Sequence, residues 1–277
     1  MTKCNKTNGS LINLKFISIT IFLVFTFFGT NLWAQKPLEG KILMAVFAHP
    51  DDERRISPIM AKFVREGAKV HLVIATDGRY GTNDFTDYES GEELVVIRKE
   101  EMKCAASKLG VNLIHLNYHD QLRSGEGYDG HIPHARSLIK ELYHLIEQLK
   151  PDAIITWGPD GETNHIDHRL VGASVTQAFI SRKWEKPSTL YYYGIPSEQL
   201  PDAEQKSLIG LDKKFLKAKI AYKDEDFKKA EASLACHISQ INEEGMKKFR
   251  KNITDNGNYV YLRKFLSSKD ISDTVFE

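Results

Sequence analysis

Two short segments gather residue types that bind metals and move protons. The first, Ala48-His49-Pro50-Asp51-Asp52-Glu53, packs one imidazole and three carboxylates into six positions, and the second, Asn164-His165-Ile166-Asp167-His168, holds two imidazoles and a carboxylate. His49 and Asp52 are three residues apart across a turn stiffened by Pro50. That spacing can aim an imidazole and a carboxylate at one point, as a metal ion requires. His165 and His168 stand at i and i+3 where a helical stretch opens, so both can reach one cavity. Two histidines and one aspartate make a three-ligand set with a position left for water, the arrangement of catalytic rather than structural zinc. Asp51 then lies beside the metal without needing to bind it. Asp167 is suited either to orient an imidazole or to cap the helix start.

Chemistry of this kind needs elements that bring both segments to one place. Short, mostly uncharged runs at Ile42 to Phe47, Val70 to Ala75, Asn112 to Leu116, Ala153 to Thr156 and Leu190 to Tyr193 read as strands buried on both faces. Helical spacing separates them: Ile59, Phe63 and Val64 before Gly67; Leu94, Ile97, Met102, Ala105 and Leu109 before Gly110; Leu138, Leu142, Leu145, Ile146 and Leu149 before Pro151. Arg169 to Ile180 reads as a further helix. Strand and helix in alternation predict a mainly parallel sheet in a three-layer, Rossmann-like α/β sandwich. The two segments follow the first and fourth strands, so both lie at the carboxyl edge of that sheet, where such folds bind ligands. No GxGxxG follows the first strand, which argues against a dinucleotide. Beyond Pro196, helical stretches at Asp224 to Leu234 and Ile241 to Arg250 and a segment from Tyr259 to Phe265 are expected to extend and cover the sheet. Thr76 to Glu93 and Asn117 to Pro133 read as long polar loops.

The first segment and the His-x-Asp-His of the second resemble the two signature motifs of the PIG-L/LmbE-like family of zinc-dependent N-deacetylases, which act mostly on N-acetylglucosamine derivatives. Ala75-Thr76-Asp77-Gly78 is similar to the family's Thr-x-Gly loop, Arg98-Lys99-Glu100-Glu101 to its Arg-x-x-Glu helix, Leu109-Gly110 to its helix end, and His237-Ile238-Ser239-Gln240 to a C-terminal His-x-Ser-Gln. Two departures stand out. Arg54-Arg55 replaces the small residues common after the first motif, and Ile166 stands where proline is usual. The resemblance implies His49, Asp52 and His168 as ligands of Zn2+, with Fe2+ suited to the same donors. It implies Asp51 as general base and His165 as the group that polarises or protonates the reacting carbonyl or amine. Arg98 and Glu101 are candidates to brace the metal loop, Asp77 and Arg79 to meet sugar hydroxyls, Arg54 and Arg55 to meet an anionic group, and His237 to join the pocket. His119, Asp120, His131 and His134 form a loop group suited equally to the rim or to solvent. Hydrolysis of another amide or an ester, or sugar binding without catalysis, are the alternative readings.

Composition bounds the rest. The 277 residues carry 38 basic and 37 acidic side chains, a balance that gives no pull toward nucleic acid. The first 34 residues contain Lys3, Lys6 and Lys15, no acid, and an apolar run from Phe16 to Phe28 ending before Ala34. This predicts a signal peptide at 1–34 and one catalytic domain at 35–277, exported to a periplasmic or extracellular space. An N-terminal membrane anchor is the alternative; no stable span is expected after processing. Cys104 and Cys236 remain after removal; they could form one bridge in an oxidising compartment, but two free, mostly buried thiols are the expectation. The expected partner is a small-molecule or glycoconjugate substrate.

Overall fold

The computed structural model describes Met1, residues 35–187 and residues 189–266. The expected leader therefore lies outside the described residues, Met1 excepted. Strand β1 (Ile42–Phe47) is buried along almost its whole length, as an inner parallel strand must be. The chain continues through α1 (Ser57–Arg65), β2 (Lys69–Thr76), α2 (Glu92–Leu109), β3 (Asn112–Tyr118), α3 (Gly127–Leu149), β4 (Ala153–Thr156), the single turn α4 (Gly161–Asn164), α5 (Ile166–Ile180) and β5 (Thr189–Tyr193). Then follow β6 (Ile195–Pro196), α6 (Ala203–Leu208), β7 (Gly210–Leu211), β8 (Ala218–Ala221), α7 (Asp224–Leu234), α8 (Glu243–Asn256) and β9 (Tyr259–Lys264).

Seven strands form the main sheet in the order β3-β2-β1-β4-β5-β9-β8. The first five are parallel, and β9 and β8 extend the sheet antiparallel beyond β5. Helices α1, α2 and α7 pack together, and α3 packs on α5, so helices flank the sheet as the alternating pattern predicts. From β1 the chain winds outward to β3, then returns to β4 on the other side of β1. Strand order thus reverses between β1 and β4, and both signature segments leave the sheet there.

The core around this point is dense. Met44, Val46, Phe47, Leu72, Ile74 and Ile154 have no exposed surface, each contributing about 1.5–3 kcal/mol through burial. Trp157, just past β4, packs edge-on against Phe47 and stacks on His168 with ring centroids 4.3 Å apart. A side chain at Gly172 would collide with the Trp157 carbonyl, so glycine is what lets α5 lie close enough to bring His168 there.

Three expectations need correction. The loop expected over Asn117 to Pro133 is a short 3-10 segment, Asp120–Glu126, followed directly by α3. The first turn of α3 is exposed, so it carries no apolar stripe to announce it. The helix expected over Ile241 to Arg250 starts at Glu243, where the Asn242 side chain caps the Gly245 N–H, and runs on to Asn256. Cys104 and Cys236 are not free thiols but a disulfide, and Cys104 is exposed. Packing of α2 against α7 brings together residues 132 apart in sequence, which spacing along the chain does not reveal.

Candidate active site

The turn after β1 is built to hold charge. Asp51 takes φ 102°, an unusual conformation for a residue with a side chain, and Asp52 Oδ2 accepts the backbone N–H groups of Ala48 (3.1 Å) and His49 (2.8 Å). Glu53 accepts the Asp51 N–H and, from behind the turn, the His237 ring at 2.8 Å. Opposite, Gly161, Glu162 and Asn164 also have positive φ as the chain turns from β4 into α5. Such strain gathers at sites where the surroundings over-determine it.

Two imidazoles and one carboxylate converge between these turns. His168 donates from Nδ1 to the Gly161 carbonyl at 2.8 Å, leaving the Nε2 lone pair free. His49 donates from Nε2 to Asp120 (3.1 Å) and Asp167 (3.0 Å), leaving its Nδ1 lone pair free. These two lone-pair nitrogens face each other at 3.3 Å. Asp52 places Oδ1 3.2 Å from His168 Nε2 and Oδ2 3.5 Å from His49 Nδ1. Tetrahedral ligands at Zn–N distances of about 2.0–2.1 Å stand about 3.3 Å apart. The donor atoms already have that spacing, and lone pairs facing one another with a carboxylate beside them call for a cation between them. Burial opposes ionisation of all three, yet the carboxylates around each ring outweigh it: Asp120 and Asp167, with Asp52, raise His49, and Asp52 raises His168, while the two imidazoles hold Asp52 well below the usual range; a cation held by these groups would take the place of the ring protons.

His49, His165 and His168 also form a three-imidazole group, and His49, Asp120 and Asp167 a second one on the opposite nitrogen of the same ring. In the second, Asp120 and Asp167 act as the acceptors that orient His49. Burial pushes the Asp167 carboxyl up, whereas for Asp120 the bonds from His49 overcome burial and hold it low.

His165 is exposed at the front of the cluster. Its Nδ1 accepts the Asp167 N–H at 3.2 Å, so in the neutral ring Nε2 carries the proton. Desolvation and the neighbouring His49 and His168 lower its pKa. Asp51 is held on one side by Arg98 (2.9 Å) and on the other by Arg54. Arg98 is itself fixed by the carbonyls of Gly78 and Pro50. A side chain at Gly78 or Gly81 would strike the Arg98 guanidinium, which accounts for these two glycines.

Other expected residues sit elsewhere. Glu101 accepts the Ser239 N–H and hydroxyl, each at 2.7 Å, and so braces the C-terminal segment rather than the metal turn directly. His237 is fully buried behind Glu53 and is not among the residues lining the cavity that borders Arg54 and Glu162. Asp77 is buried, pairing with Arg79 and accepting the Asp120 N–H, so it supports Asp120 and does not present itself to sugar hydroxyls. Arg79 is shared between Asp77 and Glu92. Arg55 pairs with Glu162 at 2.6 Å and Arg54 with Asp51, so neither stands ready for an anion unassisted. Within the loop group, Asp120 alone enters the cluster; His119 and His131 bond backbone carbonyls. One signal could have found Asp120: it lies two residues beyond β3, on the same carboxyl edge as the two motifs.

Residues 44–179 match the family model described as PIG-L, GlcNAc-PI de-N-acetylase. A 1D-myo-inositol 2-acetamido-2-deoxy-alpha-D-glucopyranoside deacetylase of Corynebacterium glutamicum is 32% identical over 145 residues, covering 47% of this chain and 50% of that protein. The chain thus spans about half the length of the curated relatives it matches. Among solved structures, N,N'-diacetylchitobiose deacetylase from Pyrococcus horikoshii aligns with a TM-score of 0.58 at 21% identity, covering 81% of this chain and 84% of its own. GalB, the 4-carboxy-2-hydroxymuconate hydratase from Pseudomonas putida, aligns with a TM-score of 0.61 at 15% identity, covering 84% and 100%. At these identities the structures show a shared fold.

Proposed function

We propose that this chain, whose residues 44–179 match the PIG-L family model, is a member of that family and a metal-dependent hydrolase that removes the acetyl group from an N-acetylglucosamine-type sugar or glycoconjugate. The observation that carries this reading is the convergence of the His49 and His168 lone pairs with Asp52 at the switch between β1 and β4, with Asp51 adjoining in the chain and His165 at the front. His49, Asp52 and His168 would hold the ion, zinc in our reading. When bound, such an ion acidifies a water and polarises the amide carbonyl.

The chain's own groups supply the rest. An amide needs a base for the attacking water, a donor for the oxygen that gains charge, and a proton for the departing amine. Asp51, its Oδ1 held by Arg98, takes the water's proton and returns it to the leaving nitrogen. Neutral His165 donates from Nε2 to the developing oxyanion, a role its lowered pKa leaves intact. Asp120 and Asp167 keep the His49 ring turned so that Nδ1 faces the ion.

Export to an oxidising compartment, with residues 1–34 as a removed leader and the remainder as one catalytic domain, is part of the same proposal. The Cys104–Cys236 disulfide supports it, since such bonds persist outside the reducing cytosol. Among the described residues no helix is long and apolar enough to cross a membrane.

The deciding experiment combines elemental analysis with an acetate-release screen on N-acetyl sugars and on unrelated amides and esters. One zinc per chain, and acetate release that chelation abolishes and zinc restores, is the expected result. Release with no metal present would refute the mechanism, and cleavage of unrelated amides alone would overturn the substrate class.

A further inference from the structure

The two turns that carry the candidate site also form part of the wall of a cavity of about 560 Å³: Arg54 and Arg55 follow the first motif, and Glu162, Thr163 and Asn164 lead into His165. That volume is far larger than an acetyl group and within the range of small-molecule sites. The charges on this part of the wall are already matched. Arg55 bonds Glu162 at 2.6 Å and Arg54 bonds Asp51, so an anion would have to displace a carboxylate from either guanidinium.

The rest of the wall differs in kind. It comes from Tyr193 to Tyr261, beyond the segment that matches the family model. That stretch is rich in lysine and glutamate, yet among the described residues none of its charged side chains lines the cavity. Tyr193, Tyr222, Leu200, Leu208 and Phe249 are among those that do. Burial pushes the Tyr193 and Tyr222 phenols up to about 12, so both stay neutral. This wall is held in shape: β6 pairs with β7, the Asp202 side chain caps α6, and Phe249 stacks on Phe227 of α7 with ring centroids 5.5 Å apart. Leu208 lines the cavity and is still 53% exposed, so its apolar surface is open to whatever enters.

We propose that this cavity is an aglycone site for an uncharged apolar group, an aryl or alkyl substituent carried on the sugar, and that Leu208 and Phe249 set the preference for it. The inference rests on the deacetylase reading, which puts the sugar at the cluster of His49, Asp52 and His168 and lets its substituent extend past Asn164. A phosphate or carboxylate would need an unpaired cation, whereas an aryl or alkyl group needs only apolar surface to bury. The amides on this wall, Gln199, Gln205 and Asn252, are the groups a second sugar would use instead, and the test separates the two.

That test uses the full metal-loaded protein with the phenyl, octyl and methyl glycosides of N-acetylglucosamine, with N-acetylglucosamine 6-phosphate and with N,N'-diacetylchitobiose. The phenyl and octyl glycosides should exceed the methyl glycoside about tenfold in kcat/KM, mainly through KM, as burial of part of an apolar substituent provides. Leu208→Asn and Phe249→Ala should each cut the phenyl-over-methyl ratio about threefold or more, with Tm and metal content measured for both; Leu208 is exposed enough that its variant decides the matter if Phe249→Ala fails to fold. Calorimetric binding of phenyl glucoside against methyl glucoside, neither of which carries an acetamide, gives a readout independent of turnover and should show the same preference. Equal kcat/KM for phenyl and methyl glycosides, an unchanged ratio in Leu208→Asn, or a stronger preference for the disaccharide or the 6-phosphate would overturn the apolar site. Leu208-dependent binding of phenyl glucoside with no acetate from any N-acetyl sugar would leave the apolar site standing and sink the deacetylase reading instead.

Discussion

His49 uses both faces of its ring: Nε2 is tied to two carboxylates, and Nδ1 is left for an ion. Neighbouring acids thereby acquire different duties. Asp52→Asn should lose most bound metal, since it removes the one carboxylate among the three donors. Asp51→Asn should keep the metal and lose about 10²- to 10⁴-fold in turnover, the usual worth of a general base. Elemental analysis alongside kcat separates the two, and metal loss from Asp51→Asn would make it a ligand instead. Glu53 has a structural duty, holding His237 in a fully buried pair. Burial disfavours the charged imidazole, but Glu53 outweighs it and raises the pKa. A raised folded-state pKa contributes stability that is fully present below the unfolded value of about 6.5 and is lost as pH rises through the folded value. The stability advantage of wild type over His237→Gln should therefore shrink as pH rises above about 6.5. Thermal melts of both proteins at several pH values check this; an advantage growing with pH would contradict the pairing.

The segment after α7 is the element that joins the site to its scaffold. His237 reaches Glu53, Ser239 reaches Glu101 on α2, and Gln240 donates to the Gly81 carbonyl in the loop after β2. The disulfide fastens the start of this segment to α2, while Arg65 on α1 grips Asp226 on α7 through two hydrogen bonds at 2.8 and 2.9 Å. A disulfide typically contributes about 2–4 kcal/mol. Replacing both cysteines by serine, or adding reductant, should lower Tm by several degrees and weaken metal retention on heating. Thiol counting before and after reduction confirms the bond's presence, and an unchanged Tm would show that the segment holds without it.

At the scale of the molecule, one reversal of strand order decides where everything happens. β1 and β4 are neighbours, so motifs more than a hundred residues apart leave the sheet side by side, and β3 delivers Asp120 to the same edge. The later chain adds β8 and β9 to the sheet and forms much of the adjoining cavity's wall. Export belongs to this scale too. The proposed cut after Ala34 leaves 35 basic and 37 acidic groups, the first 34 residues holding three lysines and no acid. Intact-mass measurement of the exported product should find Gln35 at its start, whereas a full-length membrane-retained chain would favour an anchor.

By itself the amino-acid sequence determined what depends on neighbours along the chain. The buried strands show as uncharged runs, α2 and α5 as helical spacing, and the donor types as two compact motifs, because periodicity and turn geometry act over a few residues. Tertiary structure decided what depends on distant partners. Asp120 meets His49 across 71 residues, Asp167 meets it across 118, and His237 meets Glu53 across 184. Nothing local marks which ring nitrogen is left bare or that His237 stands behind the turn. Those outcomes follow from how buried charges must pair once the sheet has closed around them.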